Sequence, residues 1–144
     1  MTAFILDASV TAAWLLPDTA SEHTRRLYTL IRRDEVEPQA PNLWQWECSN
    51  LISSGVHSGR IPAASVEGLW SVLEAIRHRV ELHDLAPAQH KAVMDVALDT
   101  GLPTFDAAYL WLARSLRLPL ATFDSHQIAA AQRSGVPLLD LSSL

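Results

Sequence analysis

Apolar residues in this chain follow two alternating patterns. Short apolar runs, typical of buried strands, are followed by longer stretches whose apolar positions recur three and four residues apart, as on one face of a helix. The short runs predict strands at residues 4–6, 80–85, 118–123 and 136–141. The prolines of the segment 36–41 (VEPQAP) instead favour a short edge strand or a loop at that place.

Helical spacing covers most of the remaining chain. Ser21 is a favoured N-cap residue, Pro17 is expected to stop the first helix, and Gly101 suits the end of another. The predicted helices span residues 8–16, 21–33, 42–54 (ending at Gly55 or Gly59), 61–79 (with proline in its first turn), 87–100, 106–116 and 125–135.

Strands that alternate with helices are typical of a parallel sheet covered by helices on both faces. The chain has 144 residues, of which 49% are hydrophobic, and this is enough for one domain with a buried core. The sequence has no internal repeat, linker or low-complexity segment. Residues 1–144 are therefore expected to form a single domain of the α/β class.

Cysteine content and the lengths of the apolar runs indicate the compartment. Cys48 is the single cysteine, so no internal disulfide is possible and a reducing environment fits. The first apolar stretch lacks a basic region before it and is interrupted by Asp7, which makes it a poor signal peptide. Because no apolar run is long enough to span a bilayer, we expect a cytoplasmic protein without a membrane partner.

The net charge of −5 argues against a nucleic-acid partner when it is taken alone. However, only Lys91 is a lysine among the 11 basic residues, and arginine is the side chain that best makes bidentate contacts to phosphate. Several arginines occur close together, as at 25–26, 32–33 and 77–79. Solvated helix faces remain the simpler explanation of these pairs.

Three aspartates stand at corresponding places in the predicted elements. Asp7 and Asp124 each follow an apolar strand and precede a helix, and Asp106 opens a helix after a short turn. Parallel strands end at one edge of the sheet, where functional sites of such sheets collect, so these carboxylates are expected to lie close together. The alternative for each one is simple N-capping, because aspartate is favoured there.

Glu47 is a fourth candidate, on a different helix. It lies four residues after Leu43 and four before Leu51, within an apolar stripe where a carboxylate is costly unless it is paired or hydrogen-bonded. Asn50 is a polar residue on the same side. The alternative is a boundary position from which the carboxylate reaches water.

Four carboxylates gathered without basic partners would repel one another and would favour a bound cation. Oxygen ligands suit Mg²⁺ or Mn²⁺. Zinc is disfavoured, because the six histidines show neither HxH nor HExxH spacing and Cys48 stands alone. The residues alone thus indicate a magnesium or manganese site formed by Asp7, Glu47, Asp106 and Asp124.

Several segments, taken in order, resemble the PIN-domain family and more narrowly the VapC-type toxins of prokaryotic toxin–antitoxin pairs. They are ILDASV (5–10), APNLWQWECSNLI (40–52), GRI (59–61), TFDAAYLWLA (104–113) and LPLATFD (118–124). The resemblance covers nearly the whole chain. It implies a PIN-like three-layer α/β/α fold with a short central parallel sheet, and the activity of a metal-dependent endoribonuclease.

The resemblance also implies residue roles. It places the acidic site on Asp7, Glu47, Asp106 and Asp124 and gives supporting polar roles to Ser9, Asn50 and Thr122. Asp7, Asp106 and Asp124 would bind Mg²⁺ (or Mn²⁺), and Glu47 would orient the attacking water or bind a second metal. Some relatives have a further acid soon after the fourth, whereas Ser125 and His126 follow here. The implied partners are an RNA substrate, a cognate antitoxin and a second copy of the chain.

Other functions fit the sequence less well. A phospho-acceptor signalling domain needs an acidic pair after its first strand and a lysine near the site, but only Asp7 follows the strand and Lys91 lies in a predicted helix. A phosphatase of the DxD type fails because Ser9 occupies the second acidic position. A PIN nuclease of RNA processing and an inactive PIN-like binding module remain alternatives. Among the five tryptophans, Trp14, Trp44 and Trp70 are candidates for an interface, and Trp111 for the core.

Overall fold

The computed structural model describes residues 1–16 and 18–144. Within them lie four strands: β1 (Thr2–Leu6), β2 (Val36–Pro41), β3 (Glu81–His83) and β4 (Leu120–Ala121). Seven α-helices lie in the same part of the chain: α1 (Ala8–Leu15), α2 (Glu22–Arg32), α3 (Leu43–His57), α4 (Val66–Arg77), α5 (Pro87–Thr100), α6 (Thr104–Leu116) and α7 (Ser125–Ser134). Two short 3₁₀ helices complete them, at Ala63–Ser65 and Leu141–Ser143.

The four strands form one parallel sheet in the order β3-β2-β1-β4. Helices α1 to α4 pack on one another in one layer, and α5 to α7 pack on one another in a second, with α6 lying against β1 and β2. This is the predicted three-layer α/β/α architecture with a short central parallel sheet. All β strands run in one direction, so the residues after β1 and β4 lie at the same edge.

The centre of the molecule is apolar on both faces of β1. Phe4, Ile5 and Leu6 are completely buried, as expected for a parallel strand covered on two sides. Trp44 of α3 and Tyr109 of α6 are the largest buried side chains of the two helical layers. The strand that leads into Asp7 is therefore held firmly from both sides.

The prediction that residues 36–41 form an edge strand or a loop is wrong. This segment is β2, an inner strand that pairs with β1 on one side and β3 on the other. Pro38 lies opposite Phe4 of β1, but β3 runs beside β2 only from Gln39 onward, and Pro41 is the last residue of the strand. Pro38 thus lies where the short β3 leaves one side of β2 unpaired, and Pro41 lies where β2 ends. Their missing N–H groups therefore cost little.

Several further boundaries differ from the predictions. Helix α3 passes through Gly55, where an added side chain would overlap Ile61, and ends at His57. Of the two glycines predicted to end this helix, Gly59 is therefore the one at which the chain turns, with a positive φ of 81°. The segment after Pro62 begins as a 3₁₀ helix before α4 starts at Val66. The predicted last strand is reduced to one bridge between Leu120 and Leu138. The predicted helix stop at Pro17 lies outside the described residues.

The tryptophans divide differently from the prediction. Trp44 is completely buried and donates a hydrogen bond of 3.1 Å to Thr11, so it is not a surface residue. Trp14 is half-buried and donates to the Thr24 carbonyl, whereas Trp70 is 44% exposed. Trp46, which the sequence did not single out, is 73% exposed. Among the described residues, none of the helices combines the length and the apolar composition that crossing a membrane requires.

Candidate active site

Asp7 and Asp124 occupy the same edge of the sheet, each directly after or near the end of a strand. Asp7 is the N-cap of α1 and accepts a hydrogen bond from the Ser9 amide, while Asp124 caps α7 by accepting from the amides of His126 and Gln127 at 2.8 and 3.0 Å. N-capping therefore accounts for the local position of both carboxylates. It does not account for their approach to the other acids.

Asp7 is the most deeply buried of the four acids, with 5% of its surface exposed. Its Oδ2 atom accepts hydrogen bonds from the hydroxyls of Ser9, at 2.5 Å, and Thr122, at 3.0 Å. The side-chain amide of Gln127 lies 3.5 Å from Oδ1. Burial raises the pKa of Asp7, and the neighbouring Asp124 adds to this, while the hydroxyl donors oppose it.

Ser9 and Thr122 also join the turn after β1 to the turn after β4. The Ser9 hydroxyl accepts a hydrogen bond of 2.9 Å from the Phe123 amide, and Thr122 accepts one of 3.1 Å from the Asp124 amide. The two hydroxyls lie 3.2 Å apart. The supporting roles expected of Ser9 and Thr122 thus have a structural counterpart, since both residues fix the loops that carry Asp7 and Asp124.

Asp106 and Glu47 reach the same cleft from helices in opposite layers. Asp106 lies in the first turn of α6 but is not its N-cap, because Pro103 holds that position, so the capping alternative does not apply to it. Glu47 comes from the middle of α3, and its Oε1 atom accepts a hydrogen bond of 2.6 Å from the Tyr109 hydroxyl of α6. The Glu47 carboxylate, although it lies within an apolar stripe of α3, thus has a buried hydrogen-bond donor on α6.

The acids lie close enough together to affect one another's pKa values. Burial, with the charges of Asp7 and Asp106, raises the pKa of Glu47 to about 7, although the Tyr109 hydroxyl lowers it. Burial and the charges of Asp7 and Asp124 also raise the pKa of Asp106. Burial together with the charge of neighbouring carboxylates therefore disfavours the ionised forms of Asp7, Glu47 and Asp106, as expected for acids gathered without basic partners.

The acids line one cleft of about 250 Å³ at the carboxyl edge of the sheet. Neither arginine nor lysine is among its lining residues, which are Asp7, Ala8, Ser9, Glu47, Asn50, Leu51, Asp106 and Asp124. Asn50 is exposed at this cleft, but the hydrogen bond to Glu47 comes from Tyr109. All four predicted acids and two of the three supporting residues, Ser9 and Asn50, thus lie at the cleft, with Thr122 hydrogen-bonded behind it.

Two residues of the site were not identified from the sequence. Tyr109 is fully buried with its hydroxyl on Glu47, and Gln127 is fully buried with its amide nitrogen near Asp7 and 3.4 Å from the Asp106 carbonyl. Each follows a site acid by three residues, Asp106 and Asp124 respectively, so each lies one helical turn away. A polar residue one turn from a candidate acid was the available signal.

The donor set fits a hard divalent cation. All four candidate side chains offer carboxylate oxygens, the ligands that Mg²⁺ and Mn²⁺ prefer, and neither arginine nor lysine lines the cleft. In the described part of the chain, no three His, Cys, Asp or Glu side chains already converge at metal-binding distances. The acids surround the cleft without closing on a single point.

Comparison with known proteins identifies the fold. No family model matches the sequence, and no curated protein does. The structure is similar to that of PAE2754 from Pyrobaculum aerophilum, with a TM-score of 0.65 and 25% identity over 90% of this chain and 79% of that one. It is also similar to FitAcB from Neisseria gonorrhoeae, with a TM-score of 0.62 and 19% identity over 98% and 99% of the two chains. FitB, one of the components of FitAcB, is a PIN-domain protein. The chain therefore has a PIN-like three-layer α/β/α fold, as its sequence predicts.

Proposed function

We propose that the protein is a Mg²⁺-dependent endoribonuclease, with Mn²⁺ as a possible substitute, that hydrolyses phosphodiester bonds of RNA. The observation that carries this proposal is the cleft at the carboxyl edge of the sheet. Asp7, Glu47, Asp106 and Asp124 all line it, and its lining contains neither lysine nor arginine. A carboxylate cleft without cations suits a site that gains its positive charge from bound metal.

Asp7, Asp106 and Asp124 are the proposed metal ligands. A divalent cation at these oxygens would supply charge neutralisation at the scissile phosphate and a bound water of lowered pKa. Ser9 and Thr122 hold the Asp7 carboxylate by their hydroxyls, so its orientation is set before metal arrives. One divalent ion changes the net charge from −5 to about −3, which reduces the repulsion of RNA.

Glu47 is the proposed group that orients and deprotonates the attacking water. Its pKa of about 7 places the carboxylate close to neutral pH, where a general base works most effectively. Tyr109 donates to Oε1 and leaves the other carboxylate oxygen free of protein hydrogen bonds among the described residues. That oxygen is available to accept a proton at the cleft.

The resemblance to VapC-type toxins supports the further proposal that this nuclease is the toxin of a toxin–antitoxin pair and forms a homodimer. Because the cleft is acidic, an antitoxin that inserts an arginine would pair with Asp7, Glu47, Asp106 and Asp124 and would exclude the metal. Inhibition would then weaken when that arginine is replaced and would respond to Mg²⁺ concentration. A clean monomer in sedimentation at micromolar concentration would reject the dimer.

Cleavage of RNA by the purified protein in Mg²⁺, with and without EDTA, tests the nuclease directly. EDTA, D7N and D106N are each expected to abolish cleavage. Asp99 is an exposed acid of α5 outside the cleft, so D99N is the matched control and should cleave as the unaltered protein does. Equal cleavage by the unaltered protein and D7N would reject the proposed site.

A further inference from the structure

Exposed aromatic residues adjoin the acidic cleft. Three of its four acids directly follow an aromatic residue in the sequence, and each of these aromatic side chains is more than half exposed. Single exposed apolar side chains are normal on a protein surface, whereas a group of them beside a cleft marks an interaction or ligand-binding site. The three are Trp46 (73% exposed) before Glu47, Phe105 (59%) before Asp106, and Phe123 (51%) before Asp124.

Two of these aromatic residues line one apolar pocket. Trp46 of α3 and Phe105 of α6 line a pocket of about 470 Å³, which lies within the range of roughly 300–1,000 Å³ typical of small-molecule sites. The remaining lining is mainly aliphatic, with Thr104 and His90 as polar groups. Glu47 lines both this pocket and the acidic cleft, so the two adjoin each other.

A second cavity, which contains an arginine, adjoins the cleft through a different acid. Asp106 lines the acidic cleft and also a second cavity, which contains Arg133 and His126. The cleft therefore has an apolar aromatic pocket next to Glu47 and, next to Asp106, a cavity that contains the guanidinium of Arg133. A nucleotide chain presents the same pair of chemistries, an apolar base face and an anionic phosphate, on either side of each sugar.

We propose that the Trp46–Phe105 pocket binds one unpaired nucleobase of the RNA, splayed out beside the phosphate that is cleaved, while Arg133 contacts a phosphate farther along the strand. This inference rests on the proposed endoribonuclease activity and specifies its substrate as RNA unpaired at the cleavage position. A base in a duplex is stacked and paired and cannot enter the pocket. Thr104 and His90 offer hydrogen bonds to the edge of the base.

An apolar side chain of a partner protein is the competing occupant, and the position of the pocket argues against it. A protein interface is expected to use the exposed aromatic surface as a whole, including Trp70, which shares another surface cavity with Trp46. The base pocket instead involves only those aromatic residues that adjoin the acids. Trp70 therefore distinguishes the two occupants.

Leucine and aromatic substitutions separate stacking from simple hydrophobic contact. W46L and F105L keep an apolar side chain but remove the aromatic face on which a base stacks, whereas W46F and F105Y retain that face. W70L is the control on a neighbouring exposed tryptophan. Cleavage of single-stranded oligoribonucleotides in Mg²⁺ is measured as kcat/KM, using one intact substrate and a set with a single abasic position each.

We expect W46L and F105L each to lower kcat/KM on the intact substrate by roughly 10-fold or more, the range reported for loss of one base–aromatic stack. W46F and F105Y should restore most of this loss, and W70L should cleave normally. On the substrate whose abasic position faces the pocket, the unaltered protein and W46L should have equal kcat/KM. Melting curves are recorded to check that every variant is folded.

The outcomes separate this inference from the proposed function. If the unaltered protein does not cleave RNA in Mg²⁺, the endoribonuclease proposal fails and the base pocket fails with it. If it cleaves but W46L and F105L are fully active, or no abasic position removes their defect, the base pocket alone is overturned. If W70L is equally impaired and sedimentation shows a changed oligomeric state, the surface is a protein interface and the inference is rejected.

Discussion

Tyr109 donates a hydrogen bond of 2.6 Å to Glu47 and thereby joins the two helical layers at the candidate site. The tyrosine is completely buried on α6, and the glutamate comes from α3 on the other side of the sheet. Among the described residues, this donor is the one protein hydrogen bond that favours the charged form of Glu47 against burial and the charges of Asp7 and Asp106. Removing it should change how Glu47 ionises.

Y109F should move the acidic limb of the cleavage-rate profile to higher pH. Without the hydroxyl donor the pKa of Glu47 rises further, so a higher pH is needed to produce the carboxylate that accepts the proton. The profile of kcat/KM against pH in Mg²⁺ measures this. Y28F, at the only other tyrosine in the sequence, is the control. If the acidic limb of the profile lies at the same pH in Y109F and in the unaltered protein, Glu47 is excluded as the base.

The metal-free protein should lose stability as the pH rises, and E47Q should remove this loss. The pKa of Glu47 is about 7 in the folded protein against an ordinary 4.5, so the folded state binds the proton more tightly. The stabilisation is complete below pH 4.5 and is lost as the pH rises through 7. The full difference in pKa corresponds to about 3 kcal/mol, which partial solvent access reduces to roughly 1–2 kcal/mol.

Urea unfolding in EDTA at several pH values measures this effect. E47Q should be more stable than the unaltered protein at pH 8, and the two should converge toward pH 4.5. Glutamine keeps an oxygen that accepts the Tyr109 hydrogen bond, so the comparison isolates the charge. A constant difference at all pH values would show that Glu47 does not titrate as described.

D106N should raise the melting temperature of the metal-free protein. Burial and the charges of Asp7 and Asp124 raise the pKa of Asp106, so its carboxylate destabilises the fold near neutral pH. The partial exposure of Asp106 limits the size of this gain. The gain should shrink in Mg²⁺, because the metal stabilises the unaltered site by mass action. A lower melting temperature without metal would make Asp106 mainly structural.

Local sequence signals were sufficient to place the acids but not all of their partners. Asp7 and Asp124 were found because a short apolar strand followed by an acid and a helix fixes the edge of the sheet at which each lies. Tyr109 and Gln127 were missed, although each stands one turn after a site acid. Their hydrogen-bond partners Glu47 and Asp7 are 62 and 120 residues away, and no local spacing reports such contacts.

The errors in the fold also arise from tertiary context. Proline weakens the local case for a strand, but whether its missing N–H matters depends on where the neighbouring strand begins, and β3 begins only opposite Gln39. Gly55 and Gly59 were both predicted as ends of this helix, but Gly55 lies within α3, because Ile61 occupies the space that a side chain would need. In both cases the deciding contact comes from another element.

S9A should weaken metal binding while leaving all four acids in place. The Ser9 hydroxyl donates to Asp7 and accepts from the Phe123 amide, so alanine frees the Asp7 carboxylate to rotate and loosens the turn that leads to Asp124. Loss of a hydrogen-bond partner of a metal ligand typically lowers metal affinity about 10-fold to 100-fold. The affinity for Mn²⁺ is measured by calorimetry on the metal-free protein.

S71A is the matched control for this prediction, because the Ser71 hydroxyl donates only to a carbonyl of its own helix, α4, away from the cleft. T122V should resemble S9A, since the Thr122 hydroxyl donates a hydrogen bond of 3.0 Å to the same oxygen of Asp7. If both hydroxyls act by holding one carboxylate, the S9A and T122V effects should be less than additive in the double variant. Full additivity, or unchanged Mn²⁺ affinity in S9A, would mean that the hydroxyls stabilise the turns without orienting Asp7.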